Sequence, residues 1–228
     1  MTDYLFAPPE RVSLPVVGRT ERFPVRRLLC VGRNYAAHAR EMGGDPAREA
    51  PFFFAKPADA LVPEGGEIPY PSATRDLHHE VELVVALGRG GVDVDPLDAD
   101  RMIFGWAVGV DLTRRDLQAE AKAQGRPWDA AKGFEFSAPV GPLTPAADME
   151  PPEGALRLSV NGEVRQHGRI GDMIWSPGEV VAQASRLWRL APGDLIFTGT
   201  PEGVGPLARG DRVEAVVEGL TPLRFTVV

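Results

Sequence analysis

A chain of 228 residues, 43% of them hydrophobic, is long enough to bury one substantial core and sits in the size range of a single domain. With 25 basic against 32 acidic side chains, the net charge of -7 argues against nucleic acid or another polyanionic partner, while a few placed cations or a metal ion could still hold a small anion. A single cysteine, Cys30, excludes an intramolecular disulfide and a cysteine-based metal cage; the Met-Thr-Asp-Tyr start and the lack of a long apolar run predict a cytoplasmic protein without leader or membrane span.

Along the chain, residues 1–25 are punctuated by Pro8, Pro9, Pro15 and Pro24, which predicts an N-terminal arm laid on a body formed by residues 26–228. The 25 glycines and 22 prolines separate short apolar runs, the pattern of a mixed α/β, β-rich fold with short helices. Strands are predicted over Arg27 to Val31, Glu80 to Leu87, Phe104 to Val110, Leu156 to Val160, Asp194 to Thr198 and Arg212 to Val217. Helices are predicted over Tyr35 to Met42, ended by Gly43-Gly44, over Arg114 to Gln124, and over Pro177 to Trp188, opened by Ser176. Asn161-Gly162 suits the positive φ angles of a hairpin turn.

Five segments could carry chemistry. After Cys30-Val-Gly-Arg-Asn, a short helix opened at Asn34 puts His38 and Glu41 three residues apart on one face, where a carboxylate can orient a histidine that takes a proton from water; an ordinary exposed pair is the alternative. Lys56, beside Phe52-Phe-Phe, and Lys132, beside Phe134, are cations in apolar surroundings that could meet an anionic ligand, or could merely snorkel. In His79-Glu-Val-Glu82, period-two geometry turns Glu80 and Glu82 to one face, and a buried carboxylate pair needs a proton or a cation between its members; a wet polar strand face is the alternative. Asp111 follows a buried apolar run and could be a third metal ligand or the cap of the next helix. Thr198-Gly-Thr-Pro-Glu-Gly, a strand running into a glycine-rich loop, could hold a carboxylate on its amides and hydroxyls, or be a structural turn; it lacks the ending of a P-loop.

In this order, Val31-Gly-Arg-Asn-Tyr, Phe54-Ala-Lys-Pro57, His79-Glu-Val-Glu82, Gly109-Val-Asp-Leu-Thr113 and Thr198-Gly-Thr-Pro201 resemble the signature blocks of the fumarylacetoacetate hydrolase family, over residues 26–228. Pro51-Phe-Phe-Phe-Ala-Lys-Pro-Ala-Asp59 and Asp111-Leu-Thr-Arg-Arg-Asp-Leu-Gln118 are similar to its short acylpyruvase branch, the fumarylpyruvate hydrolases above all. The resemblance implies a β-roll core, a homodimer and dependence on Mg²⁺ or Mn²⁺. It implies a metal triad of Glu80, Glu82 and Asp111, a water-activating pair of His38 and Glu41, and Lys132 facing the scissile centre. Arg33, Lys56, Arg115, Gln118 and Thr200 match positions of substrate contacts.

The expected reaction is hydrolysis of an acylpyruvate, fumarylpyruvate first, to fumarate and pyruvate, so the partner is a small 2-oxo acid. Oxaloacetate decarboxylation, a broader acylpyruvase activity and hydroxydienoate isomerisation would use the same metal-held enolate. A non-catalytic 2-oxo acid binding module is the alternative of another class.

Overall fold

The computed structural model describes residues 3–7, 9–41 and 50–228, with backbone alone at 39–41. At its centre an eight-stranded mixed sheet runs in the order Phe52–Lys56, Arg27–Gly32, Asp194–Phe197, Val81–Leu87, Ile103–Val110, Ala138–Val140, Leu61–Pro63, and Thr144–Pro145 adds to Ile103–Val110. Asp194–Phe197 lies parallel to Arg27–Gly32 and antiparallel to Val81–Leu87. Val81–Leu87 reads VELVVAL and is buried along its whole length, as a strand covered on both faces must be. Its odd positions, Val81, Leu83, Val85 and Leu87, enter one core; Val84 and Ala86 enter a second on the opposite face.

The first core is closed by a five-stranded sheet, ordered Glu163–Arg169, Ala155–Val160, Arg212–Val217, Leu223–Val227 and Gly65–Ile68, which contributes Leu156, Leu158, Val213, Ala215, Val217 and Phe225. Each buried Leu, Val or Phe among them contributes roughly 1.5–3 kcal/mol. The helix Pro177–Leu187 adds Val180, Val181 and Ala184 to this core. It starts on a capping box, in which Ser176 accepts from the Glu179 amide while the Glu179 carboxylate accepts from the Ser176 amide, with Pro177 in the first turn. The second core is closed by the N-terminal segment: Ser13–Leu14 pairs with Phe23–Pro24, and Leu14, Val16, Phe23 and Val25 are buried against Leu28, Ala107 and Leu195.

The predicted strands are present with ends moved by a residue or so. Glu80 precedes the strand that starts at Val81, and Thr198 follows the one that ends at Phe197. The three predicted helices form over Ala36–Glu41, Arg115–Ala123 and Pro177–Leu187, and one-turn helices are added at Pro96–Ala99 and Asp129–Lys132; Met42, Gly43 and Gly44 lie outside the described residues. Two local readings are corrected. Asn34 does not open a helix by capping: its side-chain amide donates to the Trp175 and Thr198 carbonyls and its oxygen accepts from the Trp175 amide, so it ties three segments together. Asp111 does not cap the helix after it, because Thr113–Arg114 first forms a short strand against Leu77–His79 and the helix has no side-chain cap. The Asn161-Gly162 hairpin joins Ala155–Val160 to Glu163–Arg169 with φ of 54° and 85°.

Candidate active site

The three carboxylates converge because of strand pairing. Glu82 stands opposite Gly109, and the ladder runs past the strand ends to a bond from the Asp111 amide to the Glu80 carbonyl at 2.8 Å, which sets Glu80 against Asp111. Side chains directly opposite or two apart share a sheet face, so all three turn the same way. One oxygen from each lies within 4.8 Å of the others, and all three residues are buried, Asp111 completely. Gly109 is required there by close approach: a Cβ would sit 2.5 Å from Cγ2 of Val84.

Two lysines and an arginine answer this charge. The Lys132 ammonium donates to Glu80 Oε2 at 2.8 Å, Asp111 Oδ2 at 2.6 Å and Thr113 Oγ1 at 2.6 Å. Burial would lower its pKa, but Asp111 and Glu80 more than reverse this, and it stays an ammonium ion. Arg115 reaches the other Glu80 oxygen at 2.5 Å and Gln118 Oε1 at 2.6 Å. Against the cost of burial, Lys132 and Arg115 hold Glu80 well below the usual carboxylate range. Among the described residues Glu82 forms no ion pair: burial, then Asp111 and Glu80, push it well above that range, although the Gly199 amide donates to its Oε2 at 2.6 Å.

The glycine-rich loop serves the protein's own carboxylate. Gly199 has a φ of +98° and a Cβ there would meet Asn34 Cβ at 2.7 Å, so only glycine lets the amide approach Glu82. Thr198 Oγ1 donates to the Leu83 carbonyl at 2.8 Å, fastening the loop to the strand that carries Glu82. Behind it, the fully buried Gln166 accepts from the Val81 amide at 3.0 Å and donates to Thr200 Oγ1 at 2.8 Å and the Pro201 carbonyl at 3.0 Å. Its Oε1 also faces His79 Nδ1 at 2.9 Å, so that nitrogen carries the hydrogen of a ring that burial keeps neutral.

A narrow cleft opens over the triad, and Arg33, His38, Glu80, Glu82, Arg115, Gln118, Lys132 and Thr200 all face it. His38 is buried at 6% exposure and close enough to Glu80 to help keep that group ionised. The side chain of Glu41 lies outside the described residues. Lys56 is a correction: it does not line the cleft. Its 1%-exposed ammonium lies under the site, donating to the carbonyls of Leu112 and Lys132, and 2.8 Å from Asp111 Oδ1. The reading from sequence also missed Lys122, Phe52, Phe54 and Trp128, which complete the cleft wall. Only Lys122 left a signal, at i+7 from Arg115 on the same helix.

An oxygen-only donor set of three buried carboxylates fits a hard divalent cation such as Mg²⁺ or Mn²⁺. Among the described residues, Asp111 Oδ1 is compensated only by the Lys56 ammonium 2.8 Å away, and burial with its two carboxylate neighbours holds Glu82 against its charge. A divalent ion would relieve that crowding of carboxylates.

Comparison with known proteins agrees. The family described as fumarylacetoacetate (FAA) hydrolase C-terminal matches residues 27–228. A fumarylpyruvate hydrolase from Pseudomonas aeruginosa, solved in complex with Mn²⁺ and pyruvate, is 52% identical, with a TM-score of 0.97 and 99% of each chain covered. A putative fumarylpyruvate hydrolase from Burkholderia cenocepacia is 53% identical, with a TM-score of 0.93 over 100% of this chain and 95% of that one. The mitochondrial oxaloacetate tautomerase FAHD1 of Mus musculus is 43% identical over 204 residues, 89% of this chain and 91% of that protein. The mixed, β-rich fold expected from the sequence is the one these structures share. Among the described residues no helix is long and apolar enough to cross a membrane.

Proposed function

The chain belongs to the fumarylacetoacetate hydrolase family, and from that premise we propose that this enzyme hydrolyses a carbon–carbon bond of an acylpyruvate, with fumarylpyruvate as its substrate and fumarate and pyruvate as products. The observation that carries the reading is the cleft itself, which Glu80 and Glu82 of the carboxylate triad, a buried histidine and a buried ammonium ion face together, with Asp111 completing the triad beneath them. The likeness to a hydrolase that holds Mn²⁺ and pyruvate supports it.

Glu80, Glu82 and Asp111 would hold the divalent cation, Mg²⁺ or Mn²⁺. When bound, it would supply Lewis acidity toward the 1-carboxylate and 2-oxo oxygens, which makes the enolate of pyruvate a tolerable leaving group. His38 removes a proton from water, with Glu41 as its orienting carboxylate, and the hydroxide adds to the C4 carbonyl carbon. Lys132, whose three donors are held by Glu80, Asp111 and Thr113 in the metal-free site, would turn one of them to the resulting oxyanion. The C3–C4 bond then breaks with its electron pair on C3, fumarate leaves, and C3 takes a proton to give pyruvate. Arg115, Gln118, Thr200 and Arg33 line the path of the substrate and orient it. We take residues 26–228 as the catalytic unit, acting as a homodimer, both on the family resemblance; a cytoplasmic location is proposed on the single cysteine, Cys30.

A second reading, enol–keto conversion of oxaloacetate, is favoured by the relatives named oxaloacetate tautomerase. It needs no attacking water, and a buried histidine beside the triad has more to do in hydrolysis. The test is to strip the protein with chelator, restore Mg²⁺ or Mn²⁺, and follow fumarylpyruvate, acetylpyruvate and oxaloacetate in parallel. Metal-dependent preference for fumarylpyruvate is expected. Preference for oxaloacetate would replace the hydrolase reading, and binding without turnover of any of the three would leave a 2-oxo acid binding module.

A further inference from the structure

The cleft contains more positive charge than its own carboxylates neutralise. Arg33, Arg115, Lys122 and Lys132 line it against Glu80 and Glu82. Lys132 and Arg115 are engaged with Glu80 and Asp111. Among the described residues, Arg33 and Lys122 pair with no carboxylate, and each sits instead over a ring: the Arg33 guanidinium is 5.8 Å from the centre of Phe52, and Lys122 Nζ is 5.3 Å from that of Trp128. Phe52 and Trp128 meet edge to face with centroids 5.2 Å apart, so each cation rests on one ring of a single aromatic pair. Half-burial, then the charges of Arg33 and Arg115, lower the Lys122 pKa, which places these cations within reach of one another. With Lys122 half-buried and Arg33 exposed at the mouth, the repulsion between them is relieved when an anion arrives with the ligand.

The helix Arg115–Ala123 measures where that anion falls. Arg115, Gln118 and Lys122 are at i, i+3 and i+7 and all face the cleft. At 1.5 Å per residue, Lys122 stands about 10 Å along the axis from Arg115 and about 6 Å from Gln118. Arg115 grips Glu80, so one end of this line is the triad. A seven-carbon 2-oxo dicarboxylic acid has carboxyl carbons six bonds apart, roughly 7–8 Å when extended. In oxaloacetate the separation is roughly 4 Å, and acetylpyruvate has no second carboxylate.

We propose that Lys122, assisted by Arg33, forms the subsite for the distal carboxylate of a seven-carbon 2-oxo dicarboxylic acid, and thereby sets preference for fumarylpyruvate over acetylpyruvate and oxaloacetate. The proposal rests on the acylpyruvate reading above, because that reading puts the substrate's other end at the triad.

The test is calorimetric binding of 2-oxoheptanedioate, which has the same separation of carboxylates but no 4-oxo group to cleave, against the monoacid 2-oxoheptanoate, with Mn²⁺ present. A charge-assisted contact predicts that the diacid binds about 10- to 100-fold more tightly. Lys122→Met should remove most of that ratio while changing affinity for the monoacid by no more than about twofold. Lys122→Gln, which keeps a polar end at this half-exposed position, serves if the methionine variant folds poorly. Equal affinity of the two acids for the parent enzyme, or a ratio unchanged by both variants, would overturn the proposal. Turnover is scored separately: an enzyme that selects the diacid yet cleaves no acylpyruvate would keep the subsite and lose the hydrolase, and one that cleaves acylpyruvates without selecting the diacid would do the reverse.

Discussion

Gln166→Met should destabilise the protein severely, although Gln166 touches no substrate. Methionine has nearly the same length and volume, so little cavity is created and the effect isolates the hydrogen bonds. Four are lost: those to the Val81 amide, the Pro201 carbonyl, the Thr200 hydroxyl and the His79 ring. The hydroxyl can rotate and the ring can change tautomer, but the amide of buried Val81 and the carbonyl of buried Pro201 cannot find new partners in place. Two buried backbone groups left unsatisfied cost about 2–6 kcal/mol. For a chain of this size each kcal/mol lowers Tm by roughly 2–4 °C, so the midpoint should fall by about 5–20 °C. Scanning calorimetry of the parent and variant measures this directly. A midpoint within about 2 °C of the parent would refute the reasoning, because it would mean that these groups rehydrate or repack at almost no cost.

Glu82→Gln keeps an acceptor for the Gly199 amide but removes a charge that Asp111 and Glu80 disfavour, so the metal-free protein should melt no lower than the parent while the rise in Tm on adding Mn²⁺ disappears. A retained Mn²⁺ response would remove Glu82 from the ligand set. His38→Ala should keep that response and lose hydrolysis by at least about 100-fold, and full turnover would end its role in water activation. Gly199→Ala, forced to adopt φ of +98° with its Cβ 2.7 Å from that of Asn34, should cost about 1–3 kcal/mol in denaturant unfolding and weaken Mn²⁺ binding through Glu82; an unchanged midpoint would show that the loop moves freely.

What was legible in the sequence follows from the range of the interactions involved. Glu80 and Glu82 could be placed on one face from their spacing, and the strand pair that adds Asp111 was visible as two apolar runs, because both signals lie within a few residues. The capping box at Ser176 and the Asn161-Gly162 turn are equally local. Lys56 and Lys132 show where such reading ends. Both follow or precede phenylalanines, both are almost fully buried, and both approach Asp111, yet one faces the cleft and the other lies beneath it. The difference is set by the carbonyls of Leu112 and Lys132, which face the Lys56 ammonium only after a one-turn helix at Asp129–Lys132 has formed beside Phe52–Lys56. Gln166 carries no local mark at all; it reaches the site from the other sheet, across more than 80 positions of chain to Val81. Local pattern therefore identifies the groups that do chemistry, whereas the choice between a ligand contact and a structural support is made by neighbours distant in sequence. Substitutions at Lys56 and Lys132 accordingly should not be interchangeable, since removing the first strands Asp111 Oδ1 in the core and removing the second withdraws a donor from the cleft.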